Sequence, residues 1–498
     1  MIEQIILFIV FFIFAGTTVF RLFQIRPQDL CFADGVLVGL TYYMMVPVFL
    51  ILCEGELHGG TIQAPPFVPT QDVTTMMAIF IGWATVLSAH WLITEQNRQR
   101  SFGSALGGGP LAGPAGPFPA GPFPGGPFPA GPLAPPPGNG AVRPPFDPLR
   151  RLPVGPLVNR SRGEALRRNI FIIFCLYLVC QTYVFVQSGF LSADSHWYTS
   201  LDYAFENSTA FIAIKNFANT YRAVFFGLLI LCAELRIINR STAVILGGAL
   251  CLVDVSTTFN RIVILYYYVS LFILFRRWLV VNLAITIILI PTVALVSNMW
   301  TLYRALALRD GFNVQSFLQA LEDTARFQGE YAGLSFLESL NGIFESSNLV
   351  VFNFVVKNTG GEVPIFWGYT YLLRPFTSFI PSTIWPDKPL VFAVYLGEII
   401  NGRFGLSLST SLFGEVFANF PYIWPVVLFL TILFVNWIYR QADRFVAGAA
   451  AMSFFVAIAL WRFDMNFAAV SLYALVLVFL ANKAIDFFRG PVGQRVTP

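Results

Sequence analysis

Apolar runs of membrane-spanning length recur along the whole chain, and they constrain its fold more than any other feature. They lie near residues 4–22, 33–53, 73–94, 169–189, 217–237, 279–299 and 422–440. Two further stretches, 242–276 and 446–484, are too long for one crossing. As single helices each would exceed about 50 Å at 1.5 Å per residue, against a hydrocarbon core of about 30 Å. Each is better folded as a hairpin, with breaks expected at Ser256–Asn260 and Arg462–Asn466. The sum is about eleven spans. Only 12% of residues are charged, about half the share in a soluble domain, so the main solvent of this surface is lipid.

The charges orient the layout. With 95–168 placed in the cytoplasm, Arg21, Arg26, Arg236, Arg240, Arg276, Arg277, Arg440, Arg444 and Lys483 fall on the same side. That assigns 20 of the 31 Lys and Arg residues to the cytoplasmic face, as the positive-inside rule requires. The N-terminus has no basic residue before its first apolar run and reads as an uncleaved span that starts outside; the C-terminus is then cytoplasmic. Five segments follow: a three-span unit (1–94), a cytoplasmic linker (95–168), central spans (169–299), a large outer loop (300–421) and the last spans with a tail (422–498).

The linker holds a low-complexity tract, Gly107–Gly140, built around GPFPAGPFPGGPFPAGP. Such a tract favours extended polyproline segments and cannot form a packed core. The outer loop mixes apolar patches such as Ile343–Val356 with arginines and carboxylates, and is expected to be partly helical and to lie against the membrane. The six cysteines sit in or beside apolar runs without a C-x-x-C, and the three histidines are scattered. Neither a disulfide, a metal site nor a cofactor is expected. The small net charge of +4, spread among loops, gives no footing for nucleic acid.

Basic residues on the outer side run against the general trend, and several are placed at telling depths. Arg222 falls about one turn inside the outer end of the fifth span, and Arg261 and Arg462 tip the two hairpins beside Asp254 and Asp464. Charges at such positions face a bundle interior or a wet cavity. One reading pairs Arg261 with Asp254 and Arg462 with Asp464, locking each hairpin. The other is a cationic cavity for a phosphate or diphosphate, which guanidinium groups grip in bidentate fashion.

Two loop patterns sharpen the second reading. One is Arg374 followed by Ile380-Pro-Ser-Thr-Ile-Trp-Pro-Asp-Lys-Pro389; the other runs from Arg403 through STSLF to Gly414-Glu415. With the many spans, the late outer loop, the "STTFNRIVIL" hairpin and the terminal "RFD" hairpin, residues 170–480 resemble the bacterial oligosaccharide repeat unit polymerases of the Wzy type, the O-antigen polymerases. The resemblance implies an all-α, GT-C-like membrane fold. It also implies a metal-independent glycosyltransferase that extends undecaprenyl-diphosphate-linked oligosaccharides at the periplasmic face of the inner membrane. Its partners would be those lipid-linked glycans, the bilayer and a chain-length-determining co-polymerase.

For the diphosphate, the resemblance points to Arg261, Arg374, Arg403 and Arg462, with Arg222, Arg304 and Lys388 behind them. For the base it points to Glu415, then Glu398, Asp464 and Glu338. Two rival readings are an O-antigen ligase and a transporter. Ligases rely on a histidine in the late loop, and 300–421 contains none. Transporters show internal repeats and charges near the bilayer midplane; no repeat is evident here, and the suspect charges cluster at the outer edge.

Overall fold

A computed structural model describes residues 2–57, 62–106, 160–187, 209–258, 262–278, 280–288, 299, 302–303, 306, 314–330, 344–378, 380, 384–385, 387–402 and 407–488. The Pro/Gly tract lies outside them, as do much of the outer loop and four of the expected site residues, Arg261, Arg304, Glu338 and Arg403. Among the described residues all regular structure is helical, apart from two isolated bridges, Leu57 with Phe67 and Thr359 with Val363.

Seven of the described helices are long and apolar enough to cross a bilayer. They contain α1 (Ile2–Gln24), α2 (Phe32–Glu54, with a π-helical turn at Thr41–Met45), α3 (Val73–Leu106), α4 (Arg160–Gln187) and α5 (Thr209–Glu234). The other two are α13 (Trp424–Ala442) and α15 (Met465–Phe488). This is an α-helical membrane protein. α1 shows why length and composition suffice: Ile2, Ile5, Ile9, Phe12, Ile13, Phe20 and Phe23 are exposed and only Phe11 and Thr18 are buried. In water such a helix would expose a large apolar patch, whereas lipid solvates it at no cost.

Both long apolar stretches are broken near the expected places. α6 (Arg240–Thr258) is followed by α7 (Ile262–Leu274), and α14 (Ala449–Ala459) by α15. α7 and α14, of 13 and 11 residues, reach only about 20 and 17 Å, less than the hydrocarbon thickness. For α14 this shortness has a clear setting, because it is the core of the bundle rather than a lipid-facing span. Ala449 and all of Ala451–Ala459 are buried. α2 and α5 flank it at very short range. A Cβ built on Gly35 of α2 would come 1.9 Å from the Phe454 carbonyl, and one on Gly227 of α5 would come 2.3 Å from the Ala451 carbonyl. With no hydrophobic drive between helices in lipid, close backbone approach at small residues supplies the packing.

The arginines expected to share one side do meet at one end of the bundle. There Arg276 donates to the Ile25 carbonyl (3.3 Å), Arg167 to the Ile237 carbonyl (3.4 Å) and Arg440 to Asn97. Arg162 pairs with Asp443 at 2.9 Å, and Arg240 with Glu234 at 3.0 Å.

The outer segment 300–421 supplies α8 (Val314–Glu330), α9 (Ser347–Asn358), a π-helical turn Tyr369–Leu373 leading into α10 (Arg374–Thr377), α11 (Phe392–Asn401) and α12 (Ser411–Asn419). It is more deeply integrated than a segment lying against a membrane. Leu349, Val350 and Phe352 of α9, with Leu412, Phe413 and Val416 of α12, belong to the same buried cluster as α14. Phe413 packs edge-on against Trp461 with centroids 4.9 Å apart. That contact brings the outer loop to the α14–α15 turn. All six cysteines are free.

Candidate functional site

The α14–α15 turn, residues 460–464, is where the loop's charged groups converge. Glu415 is buried on α12, and its Oε2 accepts the backbone N–H of Met465 at 2.8 Å. Met465 opens α15, so this carboxylate occupies one of the orphan donors of a helix N-terminus, where the helix dipole favours negative charge. Its Oε1 is buried with no hydrogen-bond partner. Burial, and then the neighbouring Asp464 charge, push the Glu415 pKa well above the ordinary carboxylate range, against the Met465 N–H that lowers it.

Asp464 precedes α15 by one residue and is half-buried. Burial raises its pKa to about 6, while the Arg374 guanidinium and the backbone N–H of Asn466 work the other way. Arg374, at the start of α10, has both Nε and Nη1 buried and without a hydrogen-bond partner. Burial depresses its pKa, with Asp464 as the main opposing charge. Lys388 lies close by: its Nζ donates to the Ile380 carbonyl at 2.9 Å, and burial together with Arg374 lowers its pKa. Four residues singled out in the sequence, Glu415, Asp464, Arg374 and Lys388, thus occupy one neighbourhood although 90 positions separate the first from the last along the chain.

Arg462 and Arg222 are placed differently from expectation. Arg462 pairs with Glu345 at 3.0 Å, not with Asp464. Burial opposes its charge, but Glu345 and then Tyr43, Tyr42 and Tyr266 outweigh that and raise its pKa. The turn points Arg462 and Asp464 toward different elements, Arg462 to the Glu345 segment and α2, and Asp464 to α10. Arg222 lies midway along α5, more than three turns from either end, because that helix begins at Thr209 rather than near 217. Its partner is Asp254, the residue expected to pair with Arg261. Asp254 also accepts from Tyr177 at 3.1 Å, and Arg222 donates to Asn219 at 2.6 Å. Both members are about 1% exposed. Glu398 is exposed on α11, and Glu338 lies outside the described residues with Arg261, Arg304 and Arg403.

Several partners were not evident in the sequence. Glu345 carries a left-handed backbone (φ 51°), as does Ser411 at the start of α12 (φ 69°). Such conformations cost a non-glycine residue on the order of 1–2 kcal/mol and gather at functional sites. A third buried assembly ties the α3 entry to α9. There Asp72 pairs with Lys357 and accepts from Asn353 at 3.1 Å, and Thr75 donates to Asn353 at 2.6 Å. Near the arginine-rich end, His90 Nε2 meets Asp34 at 3.0 Å.

No protein-family model matches this chain, and no solved structure matches it.

Proposed function

We propose that this protein polymerises undecaprenyl-diphosphate-linked oligosaccharide repeat units into a surface polysaccharide. In this reading it is a metal-independent, GT-C-like glycosyltransferase of about eleven spans in a bacterial inner membrane. The N-terminus and the large loop are periplasmic, and the arginine-rich end and C-terminus cytoplasmic. One observation carries the proposal: Arg374, a guanidinium with two unpartnered buried N–H groups, faces Asp464, which in turn adjoins Glu415, and both carboxylates have raised pKa values. Unsatisfied buried donors cost stability unless a ligand takes them.

The chemistry follows from that set. The acceptor hydroxyl oxygen forms a bond to the anomeric carbon of the donor glycan as the bond from that carbon to the diphosphate breaks. The bonding pair leaves with the diphosphate oxygen, where Arg374 and Lys388, helped by Arg403, Arg261, Arg304 and Arg462, offset the developing charge. The hydroxyl proton passes to a carboxylate. Asp464 suits this step better than Glu415. A group titrating at about 6 is ionised near neutrality, whereas Glu415 spends one oxygen on Met465 and is held more strongly in its acid form. Glu415 then positions the turn on which Asp464 sits.

The test is the glycan ladder. Arg374→Ala and Arg403→Ala should abolish long-chain polysaccharide while single-repeat lipid intermediates accumulate; unaltered ladders in both would sink the assignment. One observation favours a second reading, a lipid-linked oligosaccharide transporter: the Arg222–Asp254 pair is buried well inside the bundle, where transporters keep coupling charges. Vesicles of purified protein separate the two, since a transporter would move lipid-linked repeats without lengthening them.

A further inference from the structure

At the arginine-rich end, away from the Glu415 cluster, the start of α4, the α13–α14 turn and the end of α15 enclose a cavity of about 280 Å³. Three of its lining residues are arginines, Arg162, Arg168 and Arg444, against a single carboxylate, Asp443. That carboxylate is fully used. Its Oδ1 accepts the Gly448 N–H at 2.8 Å, closing the turn, and its Oδ2 accepts from Arg162 at 2.9 Å. Arg168 gives one Nη to Asp486, yet its Nε is buried with no partner. Arg444 is exposed, and its side chain has no partner among the described residues. The cavity therefore presents more positive charge than its own carboxylate offsets.

A second group in the wall is oriented by its neighbours. Asn169 donates to the Ala447 carbonyl at 2.9 Å, so its oxygen is the acceptor for the Asn482 amide at 2.7 Å. The Asn482 amide nitrogen also reaches the Val478 carbonyl at 3.0 Å. With its nitrogen so committed, Asn482 is left with an acceptor, Oδ1, that is buried and unpartnered, on a residue only 7% exposed. An anion alone would be repelled by that oxygen; a hydroxyl donor would satisfy it. The rim adds Phe445, 69% exposed at a span end, where an acyl chain would lie.

We propose that this cavity binds the headgroup of an anionic phospholipid of the phosphatidylglycerol class. The phosphodiester sits between Arg168 Nε and Arg444, a headgroup hydroxyl donates to Asn482 Oδ1, and an acyl chain runs past Phe445. Basic pockets between helices at a membrane face are suited to such headgroups. The volume is ample, since liquid water occupies about 30 Å³ per molecule.

The test uses the purified full chain in neutral detergent, with thermal unfolding followed after adding phosphatidylglycerol, phosphatidic acid, phosphatidylcholine or inorganic phosphate. Phosphatidylglycerol should give the largest rise in midpoint. Arg444→Gln should at least halve that rise, and Arg277→Gln, at an exposed arginine of the same end, should leave it intact. Mass spectrometry of lipid retained through purification should show phosphatidylglycerol depleted in Arg444→Gln. A rise of equal size with phosphatidylcholine, or an undiminished rise and undiminished retention in Arg444→Gln, would overturn the site. The full rise with inorganic phosphate would assign the cavity to a free anion, and an equal rise with phosphatidic acid would remove the hydroxyl contact to Asn482.

Discussion

Two buried charge groups among the described residues, Arg222–Asp254 inside the bundle and Arg374–Asp464–Glu415 at the α14–α15 turn, use similar side chains to opposite ends. In the first, both Asp254 oxygens are occupied, one by Arg222 and one by Tyr177, a second guanidinium nitrogen is taken by Asn219, and Arg222 Nε alone is left buried without a partner. In the second, Glu415 Oε1 and two Arg374 nitrogens are buried with nothing to bond to. A pair whose ionic atoms are matched to each other locks helices. An open one spends folding energy to stay ready for something else. The contrast separates a structural charge from a candidate site without reference to any relative.

The sharpest way to break this comparison is Asp254→Ala. It strands Arg222 among apolar neighbours and should cost about 3–5 kcal/mol, read as a collapse in folded yield or a large fall in unfolding midpoint. Wild-type stability there would show that the pair is no lock. Next come Arg374→Ala and Asp464→Asn. Each should lower polymerisation about 100-fold or more while shifting stability by no more than about 1 kcal/mol, because Arg374 leaves two buried nitrogens unbonded and an amide at 464 keeps the shape of the carboxyl. Equal losses of stability at both clusters would erase the distinction.

A pH series is subtler. Asp464 and Glu415 have folded pKa values above their ordinary ones, so the folded state holds protons that the unfolded chain releases. Stability should fall as pH rises from the usual carboxylate range through about 6 for Asp464 and beyond for Glu415, with no dependence from this pair below that range. Activity should move the other way, rising through about 6 as Asp464 ionises, and Glu415→Gln should flatten the high-pH part of the stability loss. The smallest effect is Tyr177→Phe. Removing one donor to Asp254 should cost about 0.5–1.5 kcal/mol in thermal unfolding and leave glycan ladders unchanged.

Much of the fold was legible because lipid imposes a length on any apolar helix. Six of the expected spans and the second half of the last hairpin coincide with the seven helices long enough to cross, and both hairpins break within a few residues of where thickness demanded. The charge partners were not legible. Arg462 was paired with Asp464 by nearness along the chain, yet it is held by Glu345, 117 positions away, and Asp254 takes Arg222, 32 positions away, as a partner that nearness did not suggest, while Arg261 lies outside the described residues. The depth of Arg222 was obscured by Lys215, Asn216 and Asn219, whose polarity looks like a loop but which are half-buried in the first turns of α5. The convergence of Glu415, Asp464 and Arg374 depends on α12 burying itself beside α14, and no local period in the sequence announces that.

The sheathed position of α14 has a consequence for how the molecule is made. Its two close neighbours, α2 and α5, are synthesised long before residues 449–459 emerge, and Gly35 and Gly227 leave room for a backbone that does not yet exist. The packing of these early helices is therefore completed only when one of the last segments to be translated arrives between them. Assembly of this protein ends at its centre.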